Sequence, residues 1–512
     1  MKSGHAATPR GLDSVGHSMQ NFGRFGRMFP HLPAANFGTV DQARPLNVAI
    51  AESMIKEDDG APIGEKETED ENDDIPAGYT YLGQFIDHDL TFDPVSRLDR
   101  LQDPDGLEDF RTPRLDLDSV YGRGPSDQPF LYSGPDYRTF LLGPQRQPSG
   151  PLRPDLPRNT DNPARALIGD KRNDENKIVT QLHALFLMFH NAVVAQITDD
   201  FDTAQRLVRW HYQWLVLNDF LPRIVGQEMR RAVLDEEGPH LAFFAPDRAP
   251  YPFMPVEFAV AAYRFGHSMV RPSYALNSDI GTQEPHRIPI FTDDLTPAST
   301  SNMNGFGPIP EGWGIDWGFF FGTVPGEPKD GKVVPQPSYR IDSLLVDPLK
   351  RLPEFFGATN PEERSLAFRN LQRSVALGLP SGQAVARAMG LTPLTDEQLW
   401  LVPGNLAPEA AKLRSEAFTK FNDVLCDNAP LWYYVLREAE LSTARKTPEG
   451  TLLGGHHLGP VGGRIVAETL VGLVHCDGQS YLRQHPKFRP HSKIATQPDT
   501  FDMKQLVDFV SR

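Results

Sequence analysis

Tyr79-Thr-Tyr-Leu-Gly-Gln84-Phe-Ile-Asp87-His88-Asp89 sets an acid, an imidazole and a second acid on three consecutive positions. A helix turns about 100° per residue, so the three side chains leave it in three directions. A cluster built around one metal would use i, i+3 and i+4, so the run reads as three separate tasks. Gln84 lies one turn before Asp87 and His88 and shares their face. The same segment carries Leu82, Phe85, Ile86, Leu90 and Phe92. Burying a Gln-Asp-His face among such residues is unfavourable unless the face has a use. A helix is expected over roughly 79–90.

Composition sets the bounds. The chain has 512 residues, 39% of them hydrophobic and 10% aromatic, enough for a large core. Its 51 Lys+Arg against 67 Asp+Glu give a net charge of −16, which argues against nucleic acid as the main partner. Two cysteines, Cys426 and Cys476, make no disulfide framework; one bridge or two buried thiols are open, with thiols favoured. The first residues hold no apolar signal region and no run of 18 apolar residues occurs, so no membrane span is expected. The chain is expected to be soluble, and cytoplasmic or exported without a classical signal peptide. The 47 Pro and 42 Gly predict long irregular connections.

Residues 1–45 read as an irregular arm and 56–74 as a solvated acidic loop. Residues 93–165 and 277–340 read as loop. A long amphipathic helix is expected from Glu175 to Thr198, with Ile178, Leu182, Leu185, Phe186, Phe189 and Val193 on one stripe and Asn173 or Asp174 as its cap. Further helices are expected at 203–217, 255–270, 361–376, 381–389, 407–427, 430–440 and 460–474. Strand signals are scarce. The reading is a mainly α fold, with one catalytic domain over 46–512 that includes a helical extension at its end.

Three more constellations carry chemistry. Thr112, Arg114, Asp116 and Asp118 recur with period two, so an extended loop would point them to one side. Two carboxylates, a hydroxyl and free carbonyls are hard oxygen donors suited to Ca²⁺, and Asp89 could add a third carboxylate. Arg172 and Glu175 are i, i+3 neighbours at the start of the long helix, ahead of His183 and His190. Arg264-Phe-Gly266-His267 places a His beside a Gly that lets something flat approach the backbone, and such a His would suit haem iron. Taken singly, these also read as a surface Asp turn, a surface ion pair and hydrogen-bonded core histidines.

In their joint order, over about residues 75–480, these motifs resemble the animal-type haem peroxidases of the peroxidase–cyclooxygenase superfamily, especially the bacterial members. The resemblance implies an animal haem peroxidase-like fold, with haem b between a distal and a proximal helix. It implies His88 as distal acid–base, with Gln84 and Arg172 beside it and His267 on the iron, preceded by Arg264. It implies haem esters through Asp87 and Glu175, and Ca²⁺ held by Asp89 and the Thr112–Asp118 loop. Asp118 stands where mammalian members often have Ser. Asn176 replaces the Met of a thioether-type haem link. Asn370-Leu-Gln-Arg373-Ser-Val-Ala-Leu-Gly378-Leu-Pro380 looks like the family's late helix block, although Ala376-Leu377 replaces the usual Asp-His pair. Gln383 is assigned to the position of the amide that bonds the proximal His.

The implied activity is reduction of hydrogen peroxide with oxidation of a halide, thiocyanate or phenolic donor. Neither nucleic acid nor a membrane is an expected partner, and oligomeric state is not readable. The main alternative is a fatty-acid oxygenase of the same superfamily. Those enzymes carry a radical-forming Tyr three residues before the proximal His, where this chain has Arg264; Tyr263 lies one residue further back. A non-catalytic haem or calcium carrier is the other alternative.

Overall fold

Every residue of the Gly78–Leu90 helix except Gln84 is buried. A helix covered on all sides belongs at the centre of a fold. Phe85 stacks on Phe186 at 4.6 Å between ring centroids and meets Tyr212 edge-on at 6.2 Å. Those rings tie it to the Lys177–Gln196 and Phe201–Leu215 helices. Gly78 is required by close approach, because a Cβ there would come within 2.5 Å of the Phe320 carbonyl oxygen. The computed structural model describes residues 23–56, 70–92, 98, 101–104, 107–148, 150–162, 164–244, 253–280, 287–296, 299–322, 328–329, 332–333, 335–405, 408–447 and 450–512.

The fold is mainly α, as the sequence predicts. Strands are short: one three-stranded sheet and several two-stranded ribbons among the described residues. The Lys177–Gln196 helix is capped by Asn176, whose side chain accepts from the N–H groups of Ile178 and Val179; neither Asn173 nor Asp174 is the cap. Residues 171–174 form a separate 3-10 turn, which frees both for other work. This helix is long and apolar enough to cross a membrane, but 78% of its apolar window is buried inside the protein. The Phe201–Leu215 helix runs into a π turn over Val216–Phe220.

Four expectations are corrected. The irregular arm over 1–45 fails for its described part. Gly23–Gly26 is a strand between Glu108–Asp109 and Met254–Pro255, and a helix starts at Val40 with a Thr39/Gln42 capping box. This segment is ordered because Glu257 accepts from the N–H groups of Met28 and Phe29 (2.9 and 3.1 Å), while Arg27 donates to Gly378 O at 2.8 Å. The acidic loop lies outside the described residues over 57–69, but Glu71–Pro76 is a strand paired with Pro337–Tyr339, and Glu71 is buried against Arg271 at 2.8 Å. The helix expected over 255–270 is a π turn, Glu257–Ala261, followed by a 3-10 helix, Ala262–His267, with Ala261 out of helical geometry between them. Neither cysteine is a buried thiol: Cys426 is exposed and Cys476 partly so.

The later helices fall close to expectation, at Leu366–Ala376, Gly382–Ala388, Pro408–Lys420, Leu431–Ser442 and Pro460–Cys476. Met503–Val510 adds another that packs on Lys177–Gln196. Buried apolar side chains form one continuous core from Phe25 to Phe509.

Candidate active site

Between the Gly78–Leu90 helix and the Ala262–His267 turn lies a cavity of about 580 Å³, within the range of small-molecule and cofactor sites. Gln84, Asp87, His88, Arg172 and Glu175 line one side, and Arg264, Gly266, His267 and Asn370 the other. The three consecutive residues of the opening motif do go three ways. Asp87 reaches Arg264 (3.4 Å), His88 reaches Asn173 (2.8 Å), and Asp89 turns to the N–H of Leu117 (3.1 Å) and the hydroxyl of Ser119 (3.2 Å).

The surroundings of His88 fix its orientation. Its Nδ1 is 2.8 Å from Asn173 Oδ1, and Asn173 Nδ2 is 2.9 Å from His183 Nδ1. Burial pushes His183 down to about 3, so it is neutral and accepts from the Asn173 amide. That turns the amide oxygen to His88, whose Nδ1–H donates to it. The Nε2 of His88 lies on the other side, 3.4 Å from Glu175 Oε1. Gln84 bridges the same region: its amide N–H donates to Glu175 and its oxygen accepts from Asn176 Nδ2 (3.0 Å).

Arg172 makes no ion pair with Glu175. Its guanidinium is held by Asp170 (2.7 Å), donates to His88 O (3.0 Å) and lies over the Phe92 ring at 4.8 Å. Burial opposes ionisation of Asp170, but Arg172 and Arg111 outweigh it and hold the carboxyl well below its usual range. Burial likewise pushes Asp87 up, and Arg264, His88 and Arg172 together bring it below the usual range. Glu354, at the cavity wall, is pushed up to about 7 by burial and by Glu175.

On the opposite wall, burial and the charge of Arg264 push His267 down to about 3, leaving a neutral imidazole. Its Nδ1 is 2.8 Å from the amide of Asn370. This corrects the assignment of Gln383. That residue is fully buried elsewhere: its oxygen accepts from Ala429 N (2.9 Å) and its amide nitrogen faces Asp396. The Gly382–Ala388 helix packs its Gly382 against Tyr434, so Gln383 is spent on that junction. Asn370 lies one turn before Arg373, and both line the cavity. Gly266 borders open space, with nothing within 4 Å of a Cβ built there. Tyr263 donates its hydroxyl to Gly83 O at 3.3 Å and stacks on Phe258.

Carboxylate oxygens of Asp89, Asp116 and Asp118 lie within 4.8 Å of one another. Thr112 joins them through its hydroxyl, which donates to Asp116 at 2.9 Å. Burial pushes Asp118 up to about 7 and Asp89 well above the carboxylate range, each with neighbouring acids adding to the effect. Arg111 supplies one positive charge, 3.4 Å from Asp118. The Arg114 side chain is not part of this group: it points to Asp477 at 3.8 Å. The loop is not evenly extended, because Leu117 is left-handed (φ 59°) and Asp118 begins a short helix, which breaks the period-two pattern. His190 is a structural histidine between Tyr121 and Arg138 O.

The family model of the animal haem peroxidases matches residues 107–316. Eosinophil peroxidase of Mus musculus is 27% identical over 296 residues, 55% of this chain and 36% of that protein. Thyroid peroxidase of Homo sapiens is 27% identical over 394 residues, 71% of this chain and 38% of that protein. The chain thus spans little more than a third of the length of these relatives. Among solved structures, peroxidase A from Dictyostelium discoideum is similar with a TM-score of 0.58 at 16% identity, covering 96% of this chain and 93% of that one. Fatty acid alpha-dioxygenase from Arabidopsis thaliana gives 0.56 at 14%, covering 93% and 76%. At such identities the structural likeness concerns the fold. Residues 107–316 thus resemble the animal haem peroxidases in sequence, and the chain shares its fold with peroxidase A and with the alpha-dioxygenases.

Proposed function

We propose that the chain is a haem peroxidase that reduces hydrogen peroxide and oxidises a small donor, a halide, thiocyanate or phenol. The observation that carries this reading is the pair His88 and His267, facing one cavity from opposite walls, each steered at Nδ1 by an Asn amide. The cavity fits haem: it has a neutral imidazole with Nε2 left over, open space at Gly266, and the two carboxylates of Asp87 and Glu175 for ester links. An iron-bound His267 carries its proton on Nδ1, which asks the Asn370 amide to present its oxygen. Haem, when bound, supplies the redox chemistry.

The chain's own residues handle the proton and the charge. His88 Nε2 takes the proton from the inner oxygen of hydrogen peroxide and returns it to the outer oxygen as the O–O bond breaks. Arg172, immobilised by Asp170 and the His88 carbonyl, is a fixed cation for the negative charge that develops there. Gln84 holds Glu175 beside His88 and keeps the wall polar. Mixing the haem-loaded protein with one equivalent of hydrogen peroxide in a stopped-flow instrument should change the Soret band rapidly, and iodide or a phenol should reverse the change. A loaded protein whose spectrum stays unchanged would overturn the reading.

Ca²⁺ is the proposed occupant of the Asp89, Asp116, Asp118 and Thr112 group, whose oxygen donors and surplus negative charge suit a hard divalent cation. Asp89 directly follows His88, so the ion would clamp the Gly78–Leu90 helix to the 112–118 loop. Chelation is expected to lower peroxidase turnover before circular dichroism reports unfolding. Turnover that survives complete removal of calcium would refute that link. The oxygenase alternative rests on Tyr263, which lines the cavity; fatty-acid-dependent oxygen uptake that is lost in Tyr263→Phe would favour it.

A further inference from the structure

Two chains of aromatic rings leave the main cavity and meet at one indole. Tyr79 lines the cavity, and its ring lies 5.4 Å from Phe321, which lies 5.6 Å from Trp317. Tyr81 also lines the cavity; its ring lies 5.4 Å from Tyr274, which stacks at 6.0 Å on Phe320, itself 5.8 Å from Trp317. Trp317 is partly exposed and forms a wall of a second cavity of about 260 Å³, together with Leu152, Met188 and Phe321. Leu152 is itself exposed, so this second cavity has an apolar lip.

Tyr79 is equipped for oxidation in a way most buried tyrosines are not. Its hydroxyl donates to both oxygens of Asp219, at 2.8 and 2.9 Å. A phenol that gives up an electron must shed its proton, and this carboxylate stands ready to take it. The neutral radical that results carries no charge to be repelled by Arg223, whose guanidinium lies over the ring at 4.5 Å. Asp219 is in turn held by Arg223 (2.9 Å) and by the N–H of Met503 (3.0 Å), so the acceptor cannot swing away.

We propose that Trp317 is a second oxidation site, for phenolic rings carried on molecules too large to enter the main cavity, with electrons passing inward through Phe321 and Tyr79. This rests on the peroxidase reading above. Hydrogen peroxide takes up two electrons and two protons to give two waters, so two one-electron donations complete a turnover. In each, Tyr79 gives one electron towards the main cavity and passes its phenolic proton to Asp219. Trp317 then reduces the Tyr79 radical across Phe321, and the proton returns from Asp219. The phenol in the second cavity reduces Trp317, losing one electron and releasing one proton to water. The second ring chain ends on the same indole, so replacing Trp317 severs both.

The test compares guaiacol free in solution with guaiacyl groups coupled by a short linker to dextran, using the haem-loaded protein. Trp317→Phe keeps an aromatic ring against Phe320 and Phe321, and Phe321→Leu removes the bridge on the Tyr79 side alone. The expected result is a loss of about tenfold or more in turnover of the coupled donor in both variants, with free guaiacol turnover unchanged. A readout independent of turnover is a nitroso spin-trap adduct formed on peroxide addition, mapped to Trp317 in the parent protein and absent from Trp317→Phe. Unchanged turnover of the coupled donor in Trp317→Phe, or no adduct at Trp317, would overturn the second site. Unchanged turnover in Phe321→Leu alone would overturn the Tyr79 route. A parent protein that fails to oxidise free guaiacol would instead bring down the peroxidase reading itself.

Discussion

His267 and His88 are each steered from the ring nitrogen that faces away from the cavity, and in both cases by an uncharged amide. An amide orients an imidazole without adding a carboxylate's charge, which suits the far nitrogen to the proposed role of ligand or base. Asn370 and Gln383 divide the work clearly. Asn370→Ala is expected to change the Soret spectrum of the loaded protein and to lower kcat/KM for peroxide by about 10–100-fold. Gln383→Ala is expected to leave the spectrum alone but to destabilise the fold by about 1–3 kcal/mol, because the buried Ala429 N–H loses its acceptor. Spectra and denaturant titrations of the two variants separate these outcomes, and the reverse pattern would restore Gln383 to the site. His88, Arg172 and His267 could be named as candidates from the joint order of their motifs, and all three line the one cavity. Their partners could not, since Asn370 reaches His267 from 103 residues downstream and local spacing says nothing of that closure.

At the scale of elements, the helices were legible where one stripe of apolar residues met a polar face, as in Phe201–Leu215. The stretch 255–270 was not, because it is apolar nearly all round and periodicity cannot tell an α-helix from a π turn that passes into a 3-10 helix. Strands of two to six residues, paired with distant segments, leave almost no local pattern. Helix ends depend on partners from elsewhere too. The start of Pro460–Cys476 is capped by Glu438 of the Leu431–Ser442 helix, whose Oε2 accepts from Val461 N (2.8 Å) and Gly462 N (3.3 Å). Gly459 permits this approach, since a Cβ there would come within 2.5 Å of the Glu438 side chain. Burial pushes Glu438 up to about 8 from 4.5, against the pull of those two N–H groups. Between those values the folded chain holds a proton that the unfolded chain has lost, so this group's contribution to stability falls as pH rises. Glu438→Gln keeps an acceptor oxygen and removes the titration. Denaturant midpoints should therefore show the parent losing stability relative to the Gln variant from pH 5 to pH 8.5, by a few kcal/mol at most. Parallel profiles would mean that the helix N-terminus keeps the carboxylate ionised throughout.

Across the whole molecule, Asp219 joins parts of the chain that lie far apart in sequence. It accepts from Tyr79 at the start of the Gly78–Leu90 helix and from the backbone of Met503 at the start of the Met503–Val510 helix. That last helix buries Met503, Leu506 and Phe509 completely, and Phe509 meets Phe189 edge-on at 5.9 Å. Three buried side chains of this size contribute about 1.5–3 kcal/mol each, a sum comparable to the whole net stability of a typical folded chain, about 5–15 kcal/mol. The helix is therefore expected to act as a brace on the core and not as an appendage. None of its described residues lines the main cavity, which it reaches through Asp219 and Tyr79, so loosening it should weaken the fold before it weakens that site. Phe509→Ala is expected to destabilise the protein by about 3–5 kcal/mol, while haem affinity and peroxide reactivity at 25 °C stay close to those of the parent. Asp219→Asn offers the contrast: the amide can still accept from Tyr79, but it is a far weaker proton acceptor than the carboxylate. It should spare most of the stability and depress oxidation through Trp317. If Phe509→Ala abolished peroxide reactivity in a sample that still binds haem and remains folded, the site would depend on this brace directly, and the separation of scaffold from chemistry argued for Asp219 would fail.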